Sequence, residues 1–243
     1  MKSDFEKINI LYEDRDILVC VKPAGIAVQT KLHGQQDMES LLCNYRHEKG
    51  EAPYIGIVHR LDQPVEGILV FGKQKESTAK LCRSLTQGGF SKIYLAVTQG
   101  KMVPEEGRLT DYLKKDGRRN LSVVAGRKDT QAKKAELLYQ VLETDTGSSP
   151  VFNLVKVHLL TGRHHQIRVQ MAHFGTPLAG DAKYGISKEA FAQTGQKGCA
   201  EGGLGLCACE LAFVHPGNHK KMKFEIIPSQ PVFQRFAGSF SKK

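Results

Sequence analysis

Apolar positions fall in short, separate runs along the chain. Ile8 to Tyr12 and Asp16 to Val21 read as two strands joined across Glu13-Asp14-Arg15, and Lys22-Pro23-Ala24-Gly25 stops the second in a turn. Met38 to His47 has helical spacing. Ile55 to Val58 and Ile68 to Phe71 are short apolar strands flanking a polar loop, His59 to Gly67. Lys75 to Thr86 returns to a helical period through Ala79, Leu81, Cys82 and Leu85, and Gly88-Gly89 stands where a helix C-terminus favours glycine. Lys92 to Val97 follows as a strand. From Arg108 to Leu160 the pattern is strands and turns, including Lys133 to Val141 and Val151 to Leu160, divided by the polar stretch Glu143 to Ser149. Arg163 to Phe174 predicts a helix with Gly175 placed to cap it. Leu206 to Val214 and Lys221 to Ile227 predict two last strands after a glycine-rich interval, Gln196 to Gly205, that reads as a surface loop.

Strand and helix do not alternate regularly in this order. That favours an α+β fold with a mostly antiparallel sheet and packed helices over a doubly wound parallel sheet. With 243 residues and 40% hydrophobic content the expectation is one catalytic domain over residues 1–243. A formal charge of +10 draws polyanions, nucleic acid first among them. The N-terminus lacks a signal peptide's apolar region, and no stretch is long and apolar enough to cross a bilayer. The cysteines at 20, 43, 82, 199, 207 and 209 show no Cys-x-x-Cys spacing, which fits reduced thiols in the cytoplasm. Cys207 and Cys209 alternate along a strand and read as core.

His59-Arg60-Leu61-Asp62-Gln63-Pro64 sets an acid beside a base in a loop between apolar strands, and Pro64 holds Gln63 extended. A stiff loop can hold a carboxylate for catalysis; on these residues alone Asp62 can equally be a turn cap. Thr161-Gly162-Arg163-His164-His165-Gln166-Ile167-Arg168 is a second constellation. Arg163 and Arg168 are five residues apart, so they serve different partners, phosphate for one and a carboxylate for the other. A guanidinium beside Asp62 would keep that carboxylate ionised. Tyr94 shares a strand face with Lys92 and Ala96; it can relay a proton, stack on a base, or simply pack. Between Lys114 and Lys134 stand eight basic residues and two acidic ones, with turn signals at Asp116-Gly117 and Ala125-Gly126. A basic hairpin there grips phosphates without reading sequence. His164, His165 and His173 lack His-x-x-x-His spacing and a phosphate-cradling Gly-Lys loop is absent, so neither metal nor nucleotide cofactor is expected.

Along nearly its full length the chain resembles the RluA family of RNA pseudouridine synthases. The match lies in Ile-Leu-Tyr-Glu-Asp through Val-Lys-Pro-Ala-Gly near the start, His-Arg-Leu-Asp at 59 to 62 and Lys-Ile-Tyr-Leu-Ala at 92 to 96. It continues in Gly-Arg-x-His-Gln-Ile-Arg at 162 to 168 and Gly-Asp-x-x-Tyr-Gly at 180 to 185. The resemblance implies a curved, largely antiparallel sheet with flanking helices and a central RNA cleft. It implies conversion of uridine to pseudouridine in structured RNA, ribosomal or transfer, without a cofactor. Asp62 matches the family's catalytic aspartate, Tyr94 its active-site tyrosine, Arg168 the basic partner of the aspartate, and Arg60 the arginine that occupies the space left by the flipped base.

His59, Arg163, His165 and Gln166 join Arg60 as expected RNA contacts, with Lys114, Lys115, Arg118 and Arg119 on the basic hairpin. Val65-Glu66 before Gly67 replaces a common Thr-Ser pair, and His164 stands where the family usually carries a hydroxyl residue. No room for a small N-terminal RNA-binding domain precedes Ile8, so docking is expected to rest on the hairpin. The rival readings are a non-catalytic RNA-binding or RNA-folding protein and a metal-dependent nuclease, which needs several convergent carboxylates.

Overall fold

The computed structural model describes residues 8–30, 34–185 and 202–240. Most of the glycine-rich interval, and Cys199 with it, lies outside them. The chain divides into two compact units, one of Met1–Lys92 with Ala208–Ile226, the other of Ile93–Cys207 with Ile227–Lys243.

In the first unit, β1 (Asn9–Glu13), β2 (Ile17–Lys22), β4 (Glu66–Gly72) and β10 (Leu206–Val214) are neighbours in that order, with β11 (Lys221–Glu225) on β10 and the two-residue β3 (Gly56–Ile57) on β4. The β1–β2, β2–β4, β3–β4 and β10–β11 pairs are antiparallel. β4 is buried throughout and β2 nearly so, which is why both read as unbroken apolar runs and not as alternation. Ile17, Val19, Ile68 and Val70 face Leu81 of α2 (Lys75–Thr86), Phe90, Leu211 and Phe213 in one core. Gly56 and Gly72 let the helix come close, since a Cβ on either would lie 2.0–2.1 Å from the Thr78 hydroxyl. α1 (Met38–Glu48) starts with a reciprocal cap, in which Asp37 accepts from the Ser40 N–H and the Asp37 N–H donates to the Ser40 hydroxyl.

In the second unit, β5 (Ser91–Gln99), β9 (Phe152–Leu159), β8 (Lys133–Asp145), β6 (Glu106–Asp116) and β7 (Leu121–Ala125) are hydrogen-bonded neighbours, each pair antiparallel. β8 alternates in its central part, burying Ala135, Leu137 and Tyr139. It runs beyond Val141 into the stretch expected to be loop, and a register shift between Val141 and Glu143 absorbs the polar residues. α3 (Gln166–His173) packs Val169 on Leu113 and Ala135. It starts three residues later than its apolar spacing predicts, because His165 adopts a left-handed φ of 53° and breaks the helical path. Its end is as expected: Thr176 N–H reaches Met171 O and Gly175 N–H reaches Ala172 O, a Schellman closure that needs the φ of +92° at Gly175. The α+β class and the antiparallel character read from the sequence therefore hold.

Candidate active site

In the first unit Asp62 is half-buried on the loop after β3, and two bonds close that loop onto the turn after β2. Gly25 N–H donates to Gln63 O at 2.8 Å, and the Gln63 side-chain amide returns a bond to Gly25 O at 3.0 Å. Beneath them Lys22 is wholly inaccessible. Its ammonium donates to the carbonyls of Pro23, Ile26 and Gln63 at 2.9, 2.7 and 3.0 Å, using all its protons. Burial pulls the Lys22 pKa down to about 8, against the fields of Asp62 and Glu66, which hold it up. At neutral pH the group is therefore still mainly an ammonium. Val65 N–H donates to Asp62 O at 3.0 Å and completes the turn into β4.

His59, beside Arg60, braces the other end of the loop. Its Nε2 accepts from Val70 N–H at 3.3 Å and its ring meets Phe90 edge-on at 6.1 Å. Burial, helped by the nearby Lys92 charge, drives its pKa down to about 3, so the imidazole stays neutral and accepting. One ring nitrogen of this expected RNA contact is thus committed to β4. Arg60 is exposed on the loop.

The second unit holds the other expected residues. Tyr94 is buried on β5, opposite Val157 of β9. Arg168, on the first turn of α3, forks onto Asp181, with Nε to Oδ2 at 2.8 Å and Nη2 to Oδ1 at 2.7 Å. Gln166 and His165 are buried. Gln166 accepts from the Thr161 hydroxyl and the Arg163 N–H and donates to Glu136 O, so it shapes the turn that enters α3. His165 Nδ1 lies 2.8 Å from the Tyr184 hydroxyl. That hydroxyl also accepts from Ser122 N–H at 2.6 Å, so it joins His165 to β7. His164 stacks on His165 at 3.7 Å and meets the Ser122 hydroxyl through Nδ1. Arg163 is exposed, with Nε on Lys134 O.

The basic hairpin exists, formed by β6 and β7 with a four-residue tip from Gly117 to Asn120 between the paired Asp116 and Leu121. Asp116 accepts the N–H groups of Arg118 and Arg119, leaving both guanidinium groups outward at the tip. Lys115 is exposed beside them, whereas Lys114 is tied to Asp129 at 3.2 Å. Among the described residues the grouping of metal-binding residue types is Asp14, Asp16 and His215, not the histidines near α3. Its His215 already accepts the Gly217 and Asn218 N–H groups at Nδ1 and pairs with Asp14.

Lys22, Asp181 and Tyr184 had no role in the sequence reading. Lys22 and Asp181 had a signal there, since each stands in a quoted motif as a charged residue among turn residues.

Residues 16–173 match the family model described as RNA pseudouridylate synthase. An RNA pseudouridine synthase of Bacillus subtilis is 32% identical over 183 residues, 75% of this chain and 59% of the relative. Ribosomal large subunit pseudouridine synthase C of Escherichia coli is 32% identical over 221 residues, 89% of this chain and 65% of the relative. The chain thus spans about two thirds or less of these relatives' length. The solved structure of human RNA pseudouridylate synthase domain containing 4 superposes with a TM-score of 0.72 at 22% identity, covering 96% of this chain and 92% of that one, a likeness of fold. No helix among the described residues is long and apolar enough to cross a membrane. The matched span holds the His-Arg-Leu-Asp loop, the β5 tyrosine and the arginine of α3, and the chain belongs to the RNA pseudouridylate synthase family, of RluA type.

Proposed function

We propose that this chain isomerises uridine to pseudouridine in a structured RNA, ribosomal or transfer, with Asp62 as the essential carboxylate. The observation that carries the reading is the clasp under the Asp62 loop, where the Lys22 ammonium and the Gly25 N–H both donate to the carbonyl of the next residue, Gln63, and the Gln63 side-chain amide returns a bond to Gly25 O. A loop held this way presents its carboxylate without reorganising at the moment of reaction.

The chemistry asks for little else. The bond between ribose C1′ and uracil N1 must break and one between C1′ and uracil C5 must form, so the base is first extruded from its stack. Arg60, exposed on the same loop, takes the space the base leaves. Asp62 acts as nucleophile or removes a sugar proton, and Tyr94 or water accepts the C5 proton afterwards. Arg168 supplies the fixed positive charge for the reacting anion. The reaction is an isomerisation within one substrate, needing no redox carrier or nucleotide. Lys115, Arg118 and Arg119 grip phosphates, with Arg163 beside them in function. Residues 1–243 work as one catalytic domain, and the cytoplasm is the compartment that fits this substrate.

The test is to delete the gene, map pseudouridines across cellular RNA, and complement with the wild type and with Asp62→Asn. The amide keeps the shape but can serve neither as nucleophile nor as base. A site restored by the wild type alone supports both the activity and the role of Asp62. Restoration by Asp62→Asn removes that role. Wild-type protein that binds RNA but isomerises none, in cells or in vitro, returns the RNA-binding reading.

A further inference from the structure

We propose that the turn from Asp181 to Gly185 is a positioning bracket, in which Asp181 fixes the guanidinium plane of Arg168 while Tyr184 fixes the tip end of the β6–β7 hairpin. The catalytic consequence rests on the function proposed above; the bracket itself rests on geometry within the second unit.

Gly185 N–H closes the turn onto Asp181 O at 2.9 Å, and a Cβ at Gly185 would lie 2.3 Å from that oxygen, so the closure requires glycine. Asp181 then has an inaccessible side chain whose Oδ1 also accepts the Lys183 and Tyr184 N–H groups at 2.9 and 3.1 Å. The Arg168 side chain it grips is 5% exposed, and its guanidinium carbon lies 5.3 Å from the centre of the Tyr184 ring. Burial pushes the Asp181 carboxyl upward, but the Arg168 fork and the two backbone donors outweigh it and hold the group ionised.

A buried ion pair of this kind is weak evidence for stability, because apolar residues of the same volume stabilise at least as well. What the fork adds is orientation of a plane. At the other end of the turn the Tyr184 hydroxyl takes Ser122 N–H at the start of β7, and Lys183 Nζ reaches Asn120 O at the hairpin tip at 2.9 Å. One short turn therefore holds both the cation assigned to chemistry and the hairpin assigned to RNA grip.

The experiment compares Asp181→Asn with Tyr184→Phe in the full chain, using large-subunit ribosomal RNA transcribed in vitro with tritium at uridine C5. Tritium release gives kcat and KM, and the ¹⁵N NMR signals of the Arg168 guanidinium report its rotation without any need for activity. In the wild type the Arg168 Nη protons should be resolved and slow to rotate. Asp181→Asn should average them and lower kcat by about 100-fold while moving KM by less than about threefold, the pattern of a misplaced group and not of lost binding. Tyr184→Phe keeps the ring, so the Arg168 signals and kcat should persist while KM rises. A freely rotating Arg168 in the wild type, or a folded Asp181→Asn with wild-type kcat, overturns the bracket. A loss of melting temperature in Asp181→Asn with kcat unchanged in the folded protein marks a merely structural pair and overturns it too. If Asp181→Asn does not fold, the wild-type guanidinium signals and Asp181→Glu decide. Wild-type protein that releases no tritium from this RNA or from transfer RNA labelled in the same way counts against the proposed function, while the guanidinium signals still judge the bracket.

Discussion

Replacing Lys22 by Met tests the clasp under the Asp62 loop. The thioether fills much of the same space but donates nothing to the carbonyls of Pro23, Ile26 and Gln63. A hydrogen bond to a charged group contributes about 1.5–3 kcal/mol, so the gross loss at pH 7 is on the order of 5 kcal/mol or more. Against it stands the relief from burying an ammonium. Its pKa of about 8, against an ordinary 10.5, makes that cost roughly 3 kcal/mol, so the net destabilisation is on the order of 2–5 kcal/mol. The folded pKa lies below the unfolded one, so between about pH 8 and 10.5 the unfolded chain holds the proton that the folded chain has released. Wild-type stability therefore gains from this group as pH rises through that window, Met cannot follow, and the gap between the two proteins widens. Urea unfolding of both at pH 7, 8, 9 and 10 measures it, and the difference cancels other groups that titrate there. A gap under about 1 kcal/mol at pH 7 would refute the cradle. A gap flat with pH would refute the depressed ammonium.

Gly67→Ala puts a Cβ 2.6 Å from the Ala208 backbone N and O at a φ of +145°, where both overpacking and backbone strain act. The expected cost is about 3 kcal/mol or more by urea midpoint, and a change under about 0.5 kcal/mol would show that β4 and β10 do not approach so closely. For His59, with a folded pKa of about 3 against 6.5 unfolded, stability is complete above pH 6.5 and lost as pH falls toward 3. His59→Asn should flatten that part of the acid branch of the melting profile; parallel profiles from pH 7 to 4 would sink the buried-acceptor reading. Changing Lys115, Arg118 and Arg119 together to Ala should reduce the slope of log affinity for RNA against log salt by about two, with Lys114→Ala doing less because Asp129 already pairs it. An unchanged slope would take the hairpin out of the interface.

Which parts were legible follows from how local their causes are. α2 begins and ends where its period predicts, since Gly88, at a φ of +80°, supplies the terminating conformation just past its last turn. β2 and β4 were legible because burial on both faces makes an apolar run. The length of β8 was not, since pairing with β9 carries Thr144 and Asp145 into the ladder against their turn-like character. The start of α3 depended on a left-handed residue that sequence gives no reason to place at His165. The reactive loop could be picked out by residue type, an acid and a base before proline. Its support could not, because the Lys22 bond to Gln63 O spans 41 residues; nor could the support of the hairpin, where the Tyr184 bond to Ser122 N–H spans 62.

The departures from the family pattern fall beside these two supports, one in each unit. Val65 and Glu66 are both buried, and the turn they complete is closed by a backbone bond, Val65 N–H to Asp62 O, which does not depend on their side chains. A Thr-Ser pair can therefore be exchanged here without moving the loop. The exchange brings in a second carboxylate, and Glu66 together with Asp62 raises the proton affinity of Lys22, against the burial that lowers it. A carboxylate at position 66 thus keeps charged the group that holds the loop. At the other departure, His164 turns its Nδ1 to the Ser122 hydroxyl, which also bonds His164 O, so its ring braces β7 next to the hairpin tip. Neither change falls on Asp62, Tyr94 or Arg168; one alters the charge around Lys22 and the other the bracing of the hairpin, so on the function proposed above differences from relatives should appear in which RNA is gripped before they appear in the chemistry.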